Sequence, residues 1–411
     1  ITAMIGQEVS EGRWEYLRAN SSGLSSNDIQ EPGLGETTSM QIGSGRGSNS
    51  MASFFTRANY SYKSKYYLTY TFRYDGSSNF GPKNRWAPFH AVSGSWRLSN
   101  EPFMEGMKDK ITDLKIRAGW GQTGNQNIGG YRWGASITKM PSNLGMGFRQ
   151  SNIANPYITW EKQEQYNLGI DAGFLKNRVN LVLDLYLKMS TAMLMDMQLP
   201  SYMGTSGNVS IRLNPPMGNF GKIENRGLEI SLNTHPIEGE FTWVNDLQLT
   251  FNRNKLLGLT GTPSAHIEGY GQWTDLVSLT EIGDPLYSFY GYRVVGIYQD
   301  KTDILNSPQT KAYPGDGNLK RSTVWPGDLK FADISGPDGA PDGKIDEYDR
   351  TNIGSPLPKF TFGFNNIFTY KNFELIVYVN GSVGNKLMNY VGRSLTTMSD
   401  MWTNQLQTAV N

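Results

Sequence analysis

The residues best suited to chemistry cluster at 333–349, which read DISGPDGAPDGKIDEYD. A calcium loop places oxygen ligands at alternate positions, then a glycine for the sharp turn, then a distal carboxylate. Asp333, Ser335, Asp342, Gly343, Asp346 and Asp349 follow that order when 337–341 is read as an insertion. Lys344 offers its backbone carbonyl, and Ile345 packs inward to hold the loop. The expected metal ligands are therefore Asp333, Asp342, Lys344, Asp346 and Asp349, around a structural rather than catalytic calcium. Asp338 lies in the insertion. Four or five carboxylates in so short a loop repel one another unless a cation neutralises them. The alternative is a Gly/Pro/Asp turn cluster that holds no ion.

Nothing else in the chain has catalytic spacing. The three histidines, His90, His235 and His266, are unpaired, so no Ser-His-Asp arrangement is available. The run GSGRG at 43–47 lacks the following helix and the Lys-Ser/Thr end of a phosphate loop, and is read as a flexible loop. There is no cysteine, which excludes a disulfide scaffold and a thiolate metal site. With 38 Lys+Arg against 37 Asp+Glu the net charge is +1, without the basic footprint of a nucleic-acid binder. The expectation is a protein that is not an enzyme.

The elements that must position these residues follow a period of two. From 178 to 188, Val179, Leu181, Leu183, Leu185 and Leu187 fall on one face. Arg178, Asn180, Asp184, Tyr186 and Lys188 fall on the other, with Val182 the lone apolar member. A helix scatters such leucines around its circumference, whereas a strand aligns them. The same alternation predicts thirteen strands, at about 1–9, 52–62, 66–75, 86–98, 112–122, 162–174, 178–190, 227–236, 240–254, 273–282, 286–298, 359–370 and 373–384. Parity of the connections, rather than pattern, supports 273–282. The apolar faces run about 9–11 residues, the length of a tilted transmembrane strand. Short turns at 63–65, 175–177, 236–239, 283–285 and 371–372 alternate with long polar segments at 10–50, 76–85, 123–160, 191–225, 255–272 and 299–358. The medium link 99–111 falls in a short-turn slot.

Short turns at one rim and long loops at the other are the layout of an outer-membrane barrel. No run approaches the length of a membrane-spanning helix, and 1–20 has no signal-peptide layout. Barrel strands alternate and so average out as polar. The chain holds 22 Tyr, 18 Phe, 10 Trp and 46 Gly, which suits aromatic girdles and glycine-rich loops. The fold class expected is all-β, a transmembrane antiparallel β-barrel of which 1–411 is a part, because thirteen strands leave two edges and open edges do not occur in lipid. Arg57, Arg73, Arg97, Arg117, Asp171 and Asp184 fall on the polar, lumen-facing side, either as a pathway or as a lining that pairs across strands. Tyr66, Tyr67, Trp86, Trp96, Trp120 and Trp243 lie near strand ends, as girdle anchors or sugar-stacking platforms. Trp273, Trp325 and Trp402, in loops, are candidates for ligand stacking.

Several long blocks carry a resemblance. ANYSYKSKYYLTYTFRYDGSSNF at 58–80, RWAPFHAVSGSWRLSNEPF at 85–103, DLKIRAGWGQTGNQ at 113–126, GDPLYSFYGYRVVGIY at 283–298, and the run from DGKIDEYD through VNGSVGNK at 342–386 occur in this order. Together they resemble the SusC/RagA-like branch of TonB-dependent outer-membrane transporters. The resemblance implies a 22-stranded barrel with an N-terminal plug. It places the plug and about six strands before Ile1, and three strands after Asn411. It also implies import of an oligomeric nutrient, a glycan or less often a peptide, and energy from TonB acting on the plug. A SusD-like surface lipoprotein is the implied partner, with a dimer of transporter–lipoprotein pairs as the assembly. The family's loop at 333–349 is usually a compact DLNGDGKID, and the insertion here departs from it. Two rival classes are a passive porin or structural barrel without coupling, and a soluble β-rich carbohydrate-binding protein or hydrolase. If the last strand of such a barrel ends in the periplasm, the strand at 373–384 runs outward, and 299–358 lies outside the cell.

Overall fold

The structure is a computed structural model that describes all residues except 198, 206–210, 260–264, 272–274, 311–323, 397–403 and 408–411. The chain divides into two compact units, Ile1–Pro236 and Ile237–Asn411.

In the first unit eight strands form an antiparallel meander in sequence order. They are β1 (Thr2–Asn20), β2 (Gln41–Tyr62), β3 (Tyr66–Ser77), β4 (Trp86–Arg97), β5 (Ile111–Asn125), β6 (Glu161–Phe174), β7 (Val179–Asp196) and β8 (Met217–Ile237). A separate hairpin, Ile137–Ser142 with Gly145–Gln150, projects from the β5–β6 connection. Short turns close the ladder at one end. Lys63 and Ser64 have φ of 50° and 54°, a left-handed pair that matches strand twist in the three-residue turn 63–65 between Tyr62 and Tyr66.

Register confirms the predicted faces. Leu183 sits opposite Ile170 on β6 and Ile230 on β8, and Leu185 opposite Leu168 and Leu228. On the other face Asp184 lies opposite Gly169 and Glu229. A one-residue slip would exchange the apolar and polar sets, so the contrast between the two faces fixes the pairing. β7 departs from regularity only near its far end. Ala192 takes φ 54°, and the β7–β8 register shifts around Gly221, as a bulge requires.

The strands are longer than the sequence suggests. Segments 10–20 and 41–51, expected within a loop, continue the β1–β2 ribbon from Ser10↔Met51 out to Asn20↔Gln41. Their alternation is masked by polar residues on both faces, while backbone pairing continues regardless. The long connections at the same end fold back over a core of Phe80, Ala87, Phe89, Ile128, Ile158 and Trp160. Trp160 Nε1 donates to the Arg85 carbonyl at 2.9 Å, and Asn79 Nδ2 to the Gln126 carbonyl at 3.0 Å, tying three loops together.

The second unit has three long strands, β9 (Phe241–Gly258), β10 (Phe360–Tyr370) and β11 (Phe373–Val383). β9 pairs directly with β10, from Thr250↔Thr361 to Phe241↔Tyr370, and β10 with β11. Among the described residues this corrects the expectation of thirteen strands to eleven long ones. The strands predicted at 273–282 and 286–298 do not join this ladder. Leu276–Thr280 and Phe289–Tyr292 belong instead to a small sheet with Ile267–Tyr270 and Arg350–Gly354. At five and four residues they are too short to cross a bilayer, which takes about 9–11. Removing two strands together leaves the parity of the remaining strands unchanged. Residues 259–359 form one large insertion between β9 and β10, with its own buried side chains at Tyr298, Ile304, Ala332 and Ile345.

Candidate functional site

The polar face of the first unit holds the densest chemistry. Arg117 on β5 reaches Asp171 on β6 at 2.8 Å and Asp184 on β7 at 2.9 Å, spanning three strands. Lys115 joins Asp171 at 3.1 Å. The crossing depends on Gly169, because a Cβ there would lie 2.7 Å from Arg117 Cζ and 2.6 Å from Asp184 Oδ1. Arg97 holds Asp113 through two bonds of 2.8 Å, and Ser99 adds a third at 2.7 Å. Arg73 pairs with Asp75 at 3.2 Å and lies over the Phe55 ring. Arg57 donates to Thr71 Oγ1 at 3.2 Å.

Of the six residues expected to face the lumen, the structure thus joins Arg117, Asp171 and Asp184, and gives Arg73 and Arg97 other carboxylates. A concave tract of about 640 Å³ runs along this face, lined by Arg57, Lys115, Arg117, Thr71, Gln165 and Asn167 among others. Hydroxyls, amides and paired charges here can bind a polar chain. None of these groups forms a nucleophile–base pair of the catalytic kind.

The opposite face carries aromatic stacks at both ends of the ladder. Near the short turns Tyr66 stacks on Trp96 at 6.2 Å, and in the second unit Trp243 on Phe368 at 5.7 Å. At the far end Tyr74 stacks on Trp86 at 5.0 Å. From Tyr66 to Tyr74 is eight strand steps, roughly 26 Å along the strand or about 20 Å of height at a typical barrel tilt, most of a lipid-facing apolar band. Tyr67 falls on the polar face, in register with Ser95 and Ser61.

Sequence reasoning missed Glu101. It accepts from Lys65 Nζ at 2.9 Å, the Tyr66 hydroxyl at 2.7 Å and Trp96 Nε1 at 3.1 Å, clipping the 98–110 link to the first short turn. The Lys65 ammonium, then the Tyr66 and Trp96 donors, hold its carboxyl down at about 2. No spacing rule signals it, since its three partners come from two other segments.

In the aspartate loop, the carboxylates are engaged with backbone amides. Asp349 is fully buried and accepts from Ile334 N at 2.8 Å, Ser335 N at 3.2 Å and Asp346 N at 2.8 Å. Burial pushes its carboxyl up, and the backbone N–H bonds more than offset this, holding it below the usual carboxylate range. Asp333 accepts from Gly343 N at 2.7 Å and Asp342 N at 3.3 Å. Asp342 accepts from Lys344 N, and Asp346 caps the turn at 347–349. Ile345 is buried, as expected. Among the described residues no three carboxylate or imidazole groups converge on one point, and Asp333, Asp342, Asp346 and Asp349 each accept from a backbone amide. Trp325 is exposed in the insertion, while Trp273 and Trp402 lie outside the described residues.

Comparison with known proteins agrees with this geometry. The family described as TonB dependent receptor-like, beta-barrel, matches residues 4–394. TonB-dependent receptor P3 of Formosa agariphila is 34% identical over 365 residues, which cover 87% of this chain and 34% of that protein. TonB-dependent receptor SusC of Bacteroides thetaiotaomicron is 29% identical over 354 residues, 82% of this chain and 31% of that one. The chain therefore spans about a third of the length of the curated relatives it matches. A solved structure of the RagAB peptide transporter covers 97% of this chain and 40% of its own, with 25% identity and a TM-score of 0.78. With a polar face, an apolar face edged by aromatics, and a match along nearly its whole length, the chain belongs to the TonB-dependent receptor β-barrel family of the outer membrane, in its SusC/RagA-like branch.

Proposed function

We propose that this chain is the barrel portion of a transporter that imports an oligomeric nutrient, a glycan or a peptide, across the outer membrane. Energy comes from TonB acting on a plug, and a SusD-like lipoprotein closes the mouth. The observation that carries the reading is the two-faced ladder, apolar on one side and lined by paired charges and amides on the other, within this family. A glycan is what the resemblance to the SusC/RagA-like branch most often implies, and peptide uptake is favoured by the likeness to the RagAB peptide transporter. A lumen wide enough to pass an oligomer has to be filled at rest, which a plug accomplishes.

The test is uptake of labelled oligosaccharides and peptides by cells that carry or lack the gene, with and without TonB. Uptake that needs both supports the reading. Uptake that needs the gene but not TonB identifies a passive porin instead. Copurification of a lipoprotein from native membranes checks the partner, and a barrel that always purifies alone argues against it.

A further inference from the structure

The link between β4 and β5, residues 98–110, is longer than the turns that share its rim, and it is fastened on both faces of the wall. On the polar face the Ser99 hydroxyl donates to Asp113 Oδ1 at 2.7 Å, beside Arg97. Asn100 Nδ2 donates to the Ser64 carbonyl at 2.9 Å, in the first short turn. Glu101 then reaches the aromatic girdle of the apolar face, where it accepts from the Tyr66 hydroxyl and from Trp96 Nε1. Those two rings lie opposite each other in register and stack. Between Ser99 and Glu101 the chain thus passes under the rim, from the polar face to the apolar one.

A short 3₁₀ turn, Pro102–Met107, follows at once. It is anchored by Met104, which is buried and whose N–H donates to the Glu101 carbonyl at 3.0 Å. Phe103 is 65% exposed and Met107 46%. Lys108 and Lys110 come next in the chain, both exposed, and Lys108 lies 3.7 Å from Glu105. The position of this turn in the wall narrows what can cover it. β3 and β4 stand inside the ladder, with β1 and β2 on one side and β5 to β8 on the other, so a strand added at the β1 edge does not border this rim. Whatever fills a barrel lies against its polar face. The apolar face, where Glu101 hangs the turn, is the face that meets lipid.

We propose that 102–107 is a membrane foot, a turn that lies in the headgroup–acyl boundary of the bilayer and seats Phe103 and Met107 among the lipid chains. Continuity carries it, because the turn hangs from the same two rings that mark the edge of the lipid-facing band. An exposed phenyl ring and thioether gain by leaving water, and lysines beside them keep their ammonium groups at the headgroups. Glu101 aims the foot. Its carboxylate, held at the polar tips of Tyr66 and Trp96, fixes the turn just outside the apolar band. The proposal depends on which face meets lipid and is independent of the import reading.

The experiment uses the full-length transporter in vesicles of phosphatidylethanolamine and phosphatidylglycerol, with any other cysteine replaced. A nitroxide is attached to Phe103→Cys and, in a second protein, to Met107→Cys, so that either site serves where the other disturbs folding. Lys176→Cys, in the short turn at 175–177 on the same rim, is the reference in water. Collisions with oxygen, which partitions into lipid, are compared with collisions with a soluble nickel chelate. The labels at 103 and 107 should favour oxygen and lie about 5–10 Å into the boundary, while the label at 176 favours nickel. Adding Glu101→Ala should move the label at 103 toward nickel, and no movement would overturn the part assigned to Glu101. Labels at 103 and 107 that match the one at 176 place the turn in water and overturn the proposal. Labels screened from both reagents place it against protein and overturn it as well.

Discussion

Asp349 is enclosed on all sides, and its two oxygens receive three backbone N–H groups. Removing the carboxylate strands those donors in a buried place. Asp349→Ala should therefore cost about 1–3 kcal/mol of local stability, while Asp349→Asn, which keeps an acceptor of the same shape, should cost less. Hydrogen exchange at the Ile334, Ser335 and Asp346 amides reads the difference. The carboxyl lies below its unfolded value, so its contribution is complete above about pH 4 and is lost as pH falls through the folded value. Protection of these amides should be flat from pH 5 to 8 and drop only in stronger acid. Chelation gives a separate test of the calcium expected from the sequence. Because these carboxylates already have amide partners, the same protection should be unchanged by EDTA, and a gain on adding calcium would establish an ion there. Glu101, in the first unit, follows the same sign. Its hold on Lys65, Tyr66 and Trp96 should persist down through the ordinary carboxylate range and fail as pH approaches about 2, seen as cleavage of the 98–110 link by pepsin.

At the scale of elements, β7 is the clearest case of sequence dictating placement. Leu183 meets Ile170 and Ile230 on the apolar face, one residue from Asp184 on the charged face. Leu183→Arg should cost about 2–4 kcal/mol if it lies near the bilayer midplane, measured by denaturant titration in lipid vesicles. Asp184→Asn should be much milder, since Arg117 keeps Asp171. Equal effects would mean that the faces are reversed. Alternation made these strands legible because side-chain direction along an extended backbone is a local property. It failed at 276–280 and 289–292, where short apolar runs have the same local look but pair with 267–270 and 350–354 instead.

At the scale of the whole molecule, the insertion at 259–359 is separable from the ladder it interrupts. β9 and β10 pair over ten residues from Phe241↔Tyr370 to Thr250↔Thr361, none of them in the insertion. Replacing 259–359 by a short turn in the full-length protein should leave a barrel that inserts and resists heat-unfolding in detergent gels. Uptake should be lost, because the insertion holds the mouth-side turns. Failure of the trimmed protein to insert would show that the insertion helps form the barrel.

The sequence alone determined which face of each strand is apolar, which rim is short-turned, that most of the chain is paired in extended strands, and its family likeness. Each follows from residue order, because a period of two and a turn residue act over a few positions. Tertiary structure decided what depends on partners far apart in the chain. It paired β9 with β10 across a hundred-residue insertion, and laid Arg117 across Gly169 to Asp184. It engaged the loop aspartates with amides from residues two to fifteen positions away. It also clipped Glu101 to Tyr66 and Trp96, a constraint that no pattern of residue types announces.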